Sequence, residues 1–339
     1  MAEAFFTLSA EDRREALRVA ADRSGRPLHL LEKDIWVVWA LQTLFGSAFG
    51  EHLVFKGGTS LSKAYGVIQR FSEDVDLTYD IRRLVPDLAG DGEEVLPKTR
   101  SEEKRWSAAV RERLPEWVEK DVQPLIAEAM TREDLPGTIR IEGDKLFIDY
   151  EPAGRGSGYV SPSVMLEFGA RSTGEPASPR EVDCDAAGFV EGVSFPAARP
   201  RVMHAERTFW EKATAAHVFC LQARLRGDRF ARHWYDLAKL DEAGLADAAL
   251  ADRDLAQAVA AHKQMFFSEK AADRSMIDYS AAVAGQLRLV PQGEALAALG
   301  DDYRRMTEDG FLLADAPPFE AVIELCGDIQ ARANRKLGG

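Results

Sequence analysis

The sequence has no long uninterrupted hydrophobic run. Its 339 residues contain no stretch of roughly eighteen consecutive apolar residues, so no segment is predicted to cross a membrane. The first residues, 1–6, lack the basic and apolar regions of a secretory signal peptide. We therefore expect a cytoplasmic protein that does not act at a membrane.

Cysteine and recognisable hydrolase motifs are scarce. The three cysteines, Cys184, Cys220 and Cys326, are widely spaced and form no CxxC pair, so we expect reduced buried thiols rather than disulfides or a zinc site. The six histidines have no metal-ligand spacing. The sequence also contains no Walker A loop, no GxSxG nucleophile elbow and no HExxH motif. These absences disfavour P-loop, serine hydrolase and zinc protease chemistry.

Positive charge is in deficit. The chain has 43 Lys and Arg against 56 Asp and Glu, a net charge of −13. An acidic surface repels polyanions at long range, so a broad DNA-tracking surface is disfavoured, although a local basic patch can still bind RNA. The densest basic cluster consists of Arg224, Arg226, Arg229 and Arg232. It is the candidate surface for acceptor or nucleotide phosphates, with an ordinary solvated face as the alternative.

Periodicity and turn residues predict an α/β fold followed by a helical half. In the first eighty residues we expect helices at 10–24, 28–45 and 59–68 and strands at 52–55 and 74–79. The later expected elements are a helical stretch at 99–130, strands at 138–141, 145–150 and 163–168, and helices at 204–225, 229–243, 249–267 and 316–335. The Pro-rich segment 195–200 marks the expected boundary, which divides the chain into domains 1–198 and 199–339.

Two aspartates are spaced as metal ligands in a predicted strand. Asp74 and Asp76 are two residues apart, so both carboxylates project from one face of the strand. Carboxylates together with substrate phosphates are the ligands that Mg²⁺ prefers, with Mn²⁺ as the alternative metal. Taken alone, an Asp-x-Asp pair in an acidic protein is more often a solvated strand edge.

A glycine turn precedes this strand. Gly57 and Gly58 follow a predicted strand, and Thr59 and Ser60 open the next helix. Glycines allow the backbone to approach a phosphate closely, and a hydroxyl can add a further donor. Together the turn and the two aspartates predict a site for a nucleoside triphosphate.

These residues resemble a known family. The segments Lys56-Gly57-Gly58-Thr59-Ser60-Leu61-Ser62-Lys63 and Arg70-Phe71-Ser72-Glu73-Asp74-Val75-Asp76-Leu77 resemble the AbiEii/AbiGii toxin family of the DNA polymerase β-like nucleotidyltransferase superfamily. The segment Glu32-Lys33-Asp34-Ile35-Trp36-Val37 has the same family character. The resemblance implies a polymerase β-like core with a small mixed sheet and a helical C-terminal domain that completes the active-site cleft.

The resemblance also implies site residues. The nucleotide-binding residues are then Lys56, Gly57, Gly58, Thr59, Ser60 and Lys212. Asp74 and Asp76 are catalytic and hold the metal, Lys212 contacts nucleotide phosphates, and Asp236 assists catalysis or holds the site. The superfamily's third carboxylate is expected on a strand beside Asp74 and Asp76, with Glu167 as the candidate metal ligand and Asp149 as the rival. Without the resemblance, Lys212 and Asp236 would be interpreted as ordinary charged residues on helices.

The expected activity is transfer of a nucleoside monophosphate from an NTP to RNA, with the 3′ end of tRNA as the favoured acceptor. The toxin–antitoxin or abortive-infection setting of the family implies a cognate antitoxin. Two alternatives stay open: transfer to a protein or small molecule, which the acidic composition favours, and a non-catalytic nucleotide-binding toxin.

Overall fold

The computed structural model describes residues 2–70, 74–92, 95–153, 161–222, 227–312 and 315–338. The strands are β1 (Glu3–Ala4), β2 (Leu53–Lys56), β3 (Asp74–Tyr79), β4 (Gly137–Glu142), β5 (Lys145–Tyr150), β6 (Ser163–Gly169), β7 (Ala177–Pro179), β8 (Val182–Asp183), β9 (Val193–Ser194), β10 (Ala197–Ala198) and β11 (Arg201–Met203).

The helices occupy both the beginning and the second half of the chain. They are α1 (Ala10–Ser24), α2 (Leu28–Phe45), α3 (Gly57–Lys63), α4 (Ile81–Leu84), α5 (Pro86–Ala89), α6 (Arg100–Trp117), α7 (Gln123–Arg132), α8 (Ala205–Gln222), α9 (Arg232–Glu242), α10 (Leu245–Ala251), α11 (Arg253–Phe266), α12 (Tyr279–Ala281), α13 (Glu294–Glu308) and α14 (Phe319–Leu337). None of these described helices is both long and apolar enough to cross a membrane.

The chain divides into two compact units. The first contains Met1–Ala64, Glu73–Val95 and Trp106–Met203, and the second contains Tyr65–Ser72, Leu96–Arg105 and His204–Gly339. The sequence did not indicate that two N-terminal segments belong with the C-terminal helices. The boundary expected between residues 198 and 199 stays a prediction.

The first unit is built on a mixed sheet. In the described residues its strands lie in the order β4-β5-β6-β3-β2-β11-β7. The pairs β3/β6 and β2/β11 are parallel, and the other neighbours are antiparallel. Strand β3, which carries the two aspartates, therefore lies inside the sheet between β2 and β6.

One face of this sheet forms the core of the unit. On β5 and β6 buried residues alternate with half-buried ones, and the same alternation holds from Asp74 to Leu77 on β3. The fully buried set on these strands includes Val75, Leu77, Leu146, Ile148, Val164 and Leu166. Helix α2 contacts α1, α7 and β6, and its Trp36 stacks on Tyr150 with ring centroids 5.2 Å apart. The opposite face is where Asp74 and Asp76 project.

The second unit is a helical assembly. Helix α8 packs against α9, α10 and α11, and α14 packs against α9 and α13. Two fully buried tryptophans fix these helices: Trp210 donates a hydrogen bond to the carbonyl of Ala249 (3.0 Å) and Trp234 to that of Leu289 (2.6 Å). Because a buried indole N–H without an acceptor is costly, these bonds select one packing of the helices.

The structure confirms most of the expected elements and corrects two. Helix α1 begins after Ser9, whose hydroxyl accepts a hydrogen bond from the backbone N–H of Asp12 (3.1 Å), the usual bond of a serine at a helix N-cap. The helix expected at 59–68 ends at Lys63, and Gly66 just beyond it has a φ of +64°. The helix expected at 249–267 is broken at Asp252, whose side chain caps α11 by accepting from the N–H of Leu255. Local capping therefore overrides the helix-forming composition of that segment.

Candidate active site

The turn from β2 to α3 brings glycine against a carboxylate. Gly57 has a φ of +78°, a conformation that residues with a Cβ adopt at a cost. A Cβ added to Gly57 would lie 2.8 Å from Cγ of Asp76 and closer still to Oδ2. Only glycine therefore allows the turn backbone and the Asp76 carboxylate to touch.

The two hydroxyls of this turn hold it in place. Thr59 donates to the carbonyl oxygen of Asp74, which ties α3 to the beginning of β3. Ser60 donates to the carbonyl oxygen of Gly57 (2.9 Å). Both side chains are buried, Ser60 completely. In this structure the hydroxyl protons position the turn, and a role of Thr59 and Ser60 in direct nucleotide contact stays a prediction.

Helix α3 is anchored at its other end by a buried ion network that the sequence did not reveal. Lys63 Nζ lies 2.6 Å from Asp34 Oδ1 and 2.6 Å from Asp185 Oδ1. Burial alone would lower the pKa of Lys63, but the two carboxylates outweigh it and raise that pKa. Burial, together with the Asp185 charge, raises the pKa of Asp34 to about 6. Lys63 and Asp34 both stand in segments that carry the family resemblance, which was the available signal for this network.

Asp74 and Asp76 project from the half-buried face of β3, as their spacing predicts. Across the sheet, Asp76 is the register partner of Lys56 on β2 and of Glu167 on β6. Asp74 is the partner of Met165 on β6. Cross-strand partners share a face, so Lys56, both aspartates and Glu167 project from the same side of the sheet.

The register separates the two candidates for the third carboxylate. Glu167 lies on β6, directly beside Asp76, with its Oε2 3.2 Å from Nζ of Lys145. Asp149 lies on β5, which has no hydrogen bonds to β3, and is held near Arg140 (3.4 Å). The strand beside the aspartates therefore carries Glu167 rather than Asp149.

The donor set fits a hard divalent cation. Asp74, Asp76 and Glu167 supply carboxylate oxygens on one face of two adjacent strands. Within the described ranges, no group of three His, Cys, Asp or Glu side chains is already gathered as a complete metal cage. Mg²⁺ is normally bound by one or two carboxylates together with substrate phosphates, so the pair Asp74 and Asp76 is sufficient for this mode of binding.

Lys212 and Asp236 come together in the second unit with a third residue. Asp236 is completely buried and lies 2.7 Å from Lys212 Nζ, while Arg70 donates to both carboxylate oxygens from Nε (2.7 Å) and Nη2 (2.9 Å). Burial alone would raise the pKa of Asp236, but Arg70 and Lys212 outweigh it and hold that pKa well below its ordinary value. Burial, with Arg70 nearby, lowers the pKa of Lys212 despite the attraction of Asp236. Sequence reasoning missed Arg70, although it stands in the segment that resembles the family.

The remaining expected residues are only partly described. Ser72 and Glu73 of the family segment, and Arg224 and Arg226 of the basic cluster, lie outside the described residues. Arg229 is half-buried, and its backbone N–H donates to Asp302 (2.9 Å) while its guanidinium lies 5.0 Å from the ring centre of Phe311. The phosphate-binding role of the cluster stays a prediction.

A glycine turn between a strand and a helix is thus pressed against the second of two carboxylates on the next strand. The chain belongs to the nucleotidyl transferase AbiEii toxin family of type IV toxin–antitoxin systems, whose family model matches residues 39–325. This confirms the resemblance, and it makes the protein a nucleotidyltransferase toxin with an NTP as substrate and an antitoxin as partner; enzymes of this class usually require a divalent metal.

Two further comparisons add little. The chain is similar in structure to MenT4, a nucleotidyltransferase toxin from Mycobacterium tuberculosis H37Rv, with a TM-score of 0.43 and 16% identity over 98% of this chain and 94% of that one. This likeness is too distant to bear on the function of the present chain. No curated protein matches the sequence.

Proposed function

We propose that this toxin transfers a nucleoside monophosphate from an NTP to the 3′ end of an RNA, with tRNA as the acceptor. The observation that supports the transfer best is the contact between the Gly57 backbone and the Asp76 carboxylate. It puts a backbone surface that can approach phosphate closely directly beside the metal-binding pair.

The chemistry follows from this arrangement. The acceptor hydroxyl oxygen bonds to the α-phosphorus, the bond from that phosphorus to the bridging oxygen breaks, and pyrophosphate leaves. The hydroxyl proton passes to a carboxylate of the set Asp74, Asp76 and Glu167. Mg²⁺ or Mn²⁺, held by Asp74 and Asp76, would neutralise negative charge on the phosphates and the departing pyrophosphate. Lys56 and the Gly57–Gly58 backbone bind and orient the phosphates.

Lys212 and Asp236 keep the roles that the family resemblance implies. Lys212 supplies positive charge for nucleotide phosphates. Asp236 holds the site rather than performing chemistry, because Arg70 and Lys212 already occupy its carboxylate and it is completely buried. The charge of the three groups sums to +1 when all are ionised, which suits an anionic substrate.

Two other functions compete with this one. A net charge of −13 favours a protein or small-molecule acceptor, since such acceptors need no long basic track. A binder without catalysis would need neither a carboxylate pair nor the glycine that touches it, and this chain retains both.

The test is incubation of the purified protein with total tRNA, Mg²⁺ or Mn²⁺, and each α-³²P-labelled NTP in turn. We expect label on tRNA that disappears with chelator and in the Asp76→Asn variant. The matched control is Asp247→Asn, which removes an exposed carboxylate paired with Arg332 and should keep activity. Label on protein or on a small molecule would show that the acceptor is of that class and not RNA. Nucleotide binding without any labelled product would refute catalysis.

A further inference from the structure

We propose that the open face of strands β4, β5 and β6 beside the two aspartates binds the terminal nucleobase of the acceptor RNA. The binding surface, called here the acceptor platform, consists of Arg140, Phe147 and Met165. This inference rests on the proposed function and names the surface that receives the acceptor.

The platform is one continuous cross-strand row. Arg140 on β4 is the register partner of Phe147 on β5, Phe147 is the partner of Met165 on β6, and Met165 is the partner of Asp74 on β3. Neighbouring strands are about 4.8 Å apart, so Phe147 lies about 10 Å and Arg140 about 14 Å from the aspartate strand. The base of a nucleoside whose 3′ oxygen is at the aspartates therefore extends along this row towards Phe147.

The order of the strands indicates which of the two substrates, the NTP or the acceptor RNA, lies over β4, β5 and β6. The glycine turn follows Lys56 of β2, so the triphosphate and its leaving pyrophosphate belong on the β2 side of Asp76. In-line displacement requires the attacking oxygen to approach from the side opposite to the leaving group. The sheet continues on that opposite side as β6, β5 and β4, and the acceptor must therefore approach over these strands.

The composition of the row fits a flat, uncharged base. The solvent-facing side of a one-face-buried sheet is normally polar, yet Phe147 and Met165 occupy it next to Asp74 and are only half-buried. The Arg140 guanidinium lies over the Phe147 ring, 3.9 Å from its centre, and its side chain remains 46% exposed. RNA-binding proteins stack unpaired bases on aromatic rings and on guanidinium planes in this way.

Two carboxylates hold the guanidinium over the ring. Glu142 is paired with Arg140, and Asp149 Oδ2 lies 3.4 Å from Arg140 Nε. These pairs neutralise Arg140, so its contribution is a planar stacking surface more than a free positive charge. A lysine at this position would keep the charge and lose the plane.

The experiment measures KM for bulk tRNA and for the incorporated NTP in separate titrations. The variants are Phe147→Ala, Phe147→Trp, Arg140→Gln and Arg140→Lys, with Thr138→Ala as the control on the same exposed edge strand. We expect Phe147→Ala, Arg140→Gln and Arg140→Lys each to raise KM for tRNA about ten-fold, with KM for NTP changed by less than about two-fold. Phe147→Trp should restore KM for tRNA, because it restores an aromatic surface.

Each of the other possible outcomes contradicts the acceptor platform, and each points to a different explanation. If tRNA is labelled but Phe147→Ala and Arg140→Gln behave like Thr138→Ala, the platform is wrong and the proposed function stands. Full recovery in Arg140→Lys would show simple charge attraction instead of stacking. A raised KM for NTP alone would assign the surface to the nucleotide base, and a wild-type protein that never labels tRNA would overturn the proposed function together with the platform. Melting temperatures within the range of Thr138→Ala show that the variants are folded.

Discussion

At the scale of single residues, the site depends on the absence of a Cβ atom at Gly57. Gly57 combines a positive φ with a position where any Cβ would collide with the Asp76 carboxylate. The sequence marked Gly57 as a turn residue with close backbone approach, but the object approached could not be read from it. In the structure that object is the carboxylate of Asp76, the second of the two proposed metal ligands.

Gly57→Ala should separate the two reasons for glycine. We expect transfer activity to fall by at least about 100-fold, because the new methyl group must displace Asp76 from its position, as small misplacements of catalytic groups cost rates of this order. The left-handed backbone should also cost about 1–2 kcal/mol of stability. The measurements are transfer rate and urea unfolding.

Gly66→Ala is the matched control. Gly66 has a φ of +64°, but nothing lies within 4 Å of an added Cβ. It should lose similar stability and keep its activity. Equal activity in the two variants would refute the role assigned to the contact between Gly57 and Asp76.

At the scale of secondary-structure elements, Asp236 links helices that the sequence presents as separate. It lies on α9, Lys212 lies on α8, and Arg70 lies in the segment Tyr65–Ser72 that belongs to the same compact unit. Arg70 and Lys212 are both almost fully buried. A carboxylate that pairs with two buried cations mainly holds together the elements that carry those cations.

Asp236→Asn should therefore destabilise the second unit. The substitution removes the anion that Arg70 and Lys212 share at a buried position, and breaking a buried ion pair in this way typically costs about 3–5 kcal/mol. Denaturant unfolding measures this difference. Asp247→Asn is the comparison, because Asp247 is 68% exposed in its pair with Arg332 and surface pairs contribute at most about 1 kcal/mol. Equal losses in the two variants would show that the buried triad is not a special support.

At the scale of the whole molecule, a buried histidine, His217, makes the stability depend on pH. His217 on α8 is 3% exposed, and its Nδ1 accepts a hydrogen bond from the backbone N–H of Arg288 (3.0 Å). Burial, with the Arg288 charge nearby, lowers the pKa of His217 to about 4. The folded protein therefore binds this proton less readily than the unfolded chain does.

The sign of the pH effect follows from that lowered pKa. The contribution of His217 is fully present above its ordinary pKa of 6.5 and is lost as the pH falls towards about 4. It should reach about 3 kcal/mol over this window, as an order of magnitude. In His217→Asn the amide oxygen can still accept from Arg288 but does not titrate, so its unfolding free energy should fall less between pH 6.5 and 4 than that of wild type. If the unfolding free energies of wild type and His217→Asn fall equally between pH 6.5 and 4, His217 is not the source of the pH dependence.

The sequence by itself determined the local features of this protein. Neighbouring residues set the cap at Ser9, the Gly57–Gly58 turn and the alternation of Asp74, Val75, Asp76 and Leu77. These features could be predicted from the sequence, and so could the family. The elements that were misjudged, the early end of α3 and the break at Asp252, depend on cap and turn conformations that compete closely with helix.

Only the tertiary structure decided how distant segments meet. Strand order placed Glu167 rather than Asp149 beside Asp76, and it aligned Arg140, Phe147 and Met165 with Asp74. Packing also brought Lys63 to Asp34 and Asp185, and Arg70 to Asp236. The physical reason is that register and buried ion pairs depend on which strands and helices pack together in the folded chain. Caps, turns and strand alternation depend instead on residues within a few positions of one another.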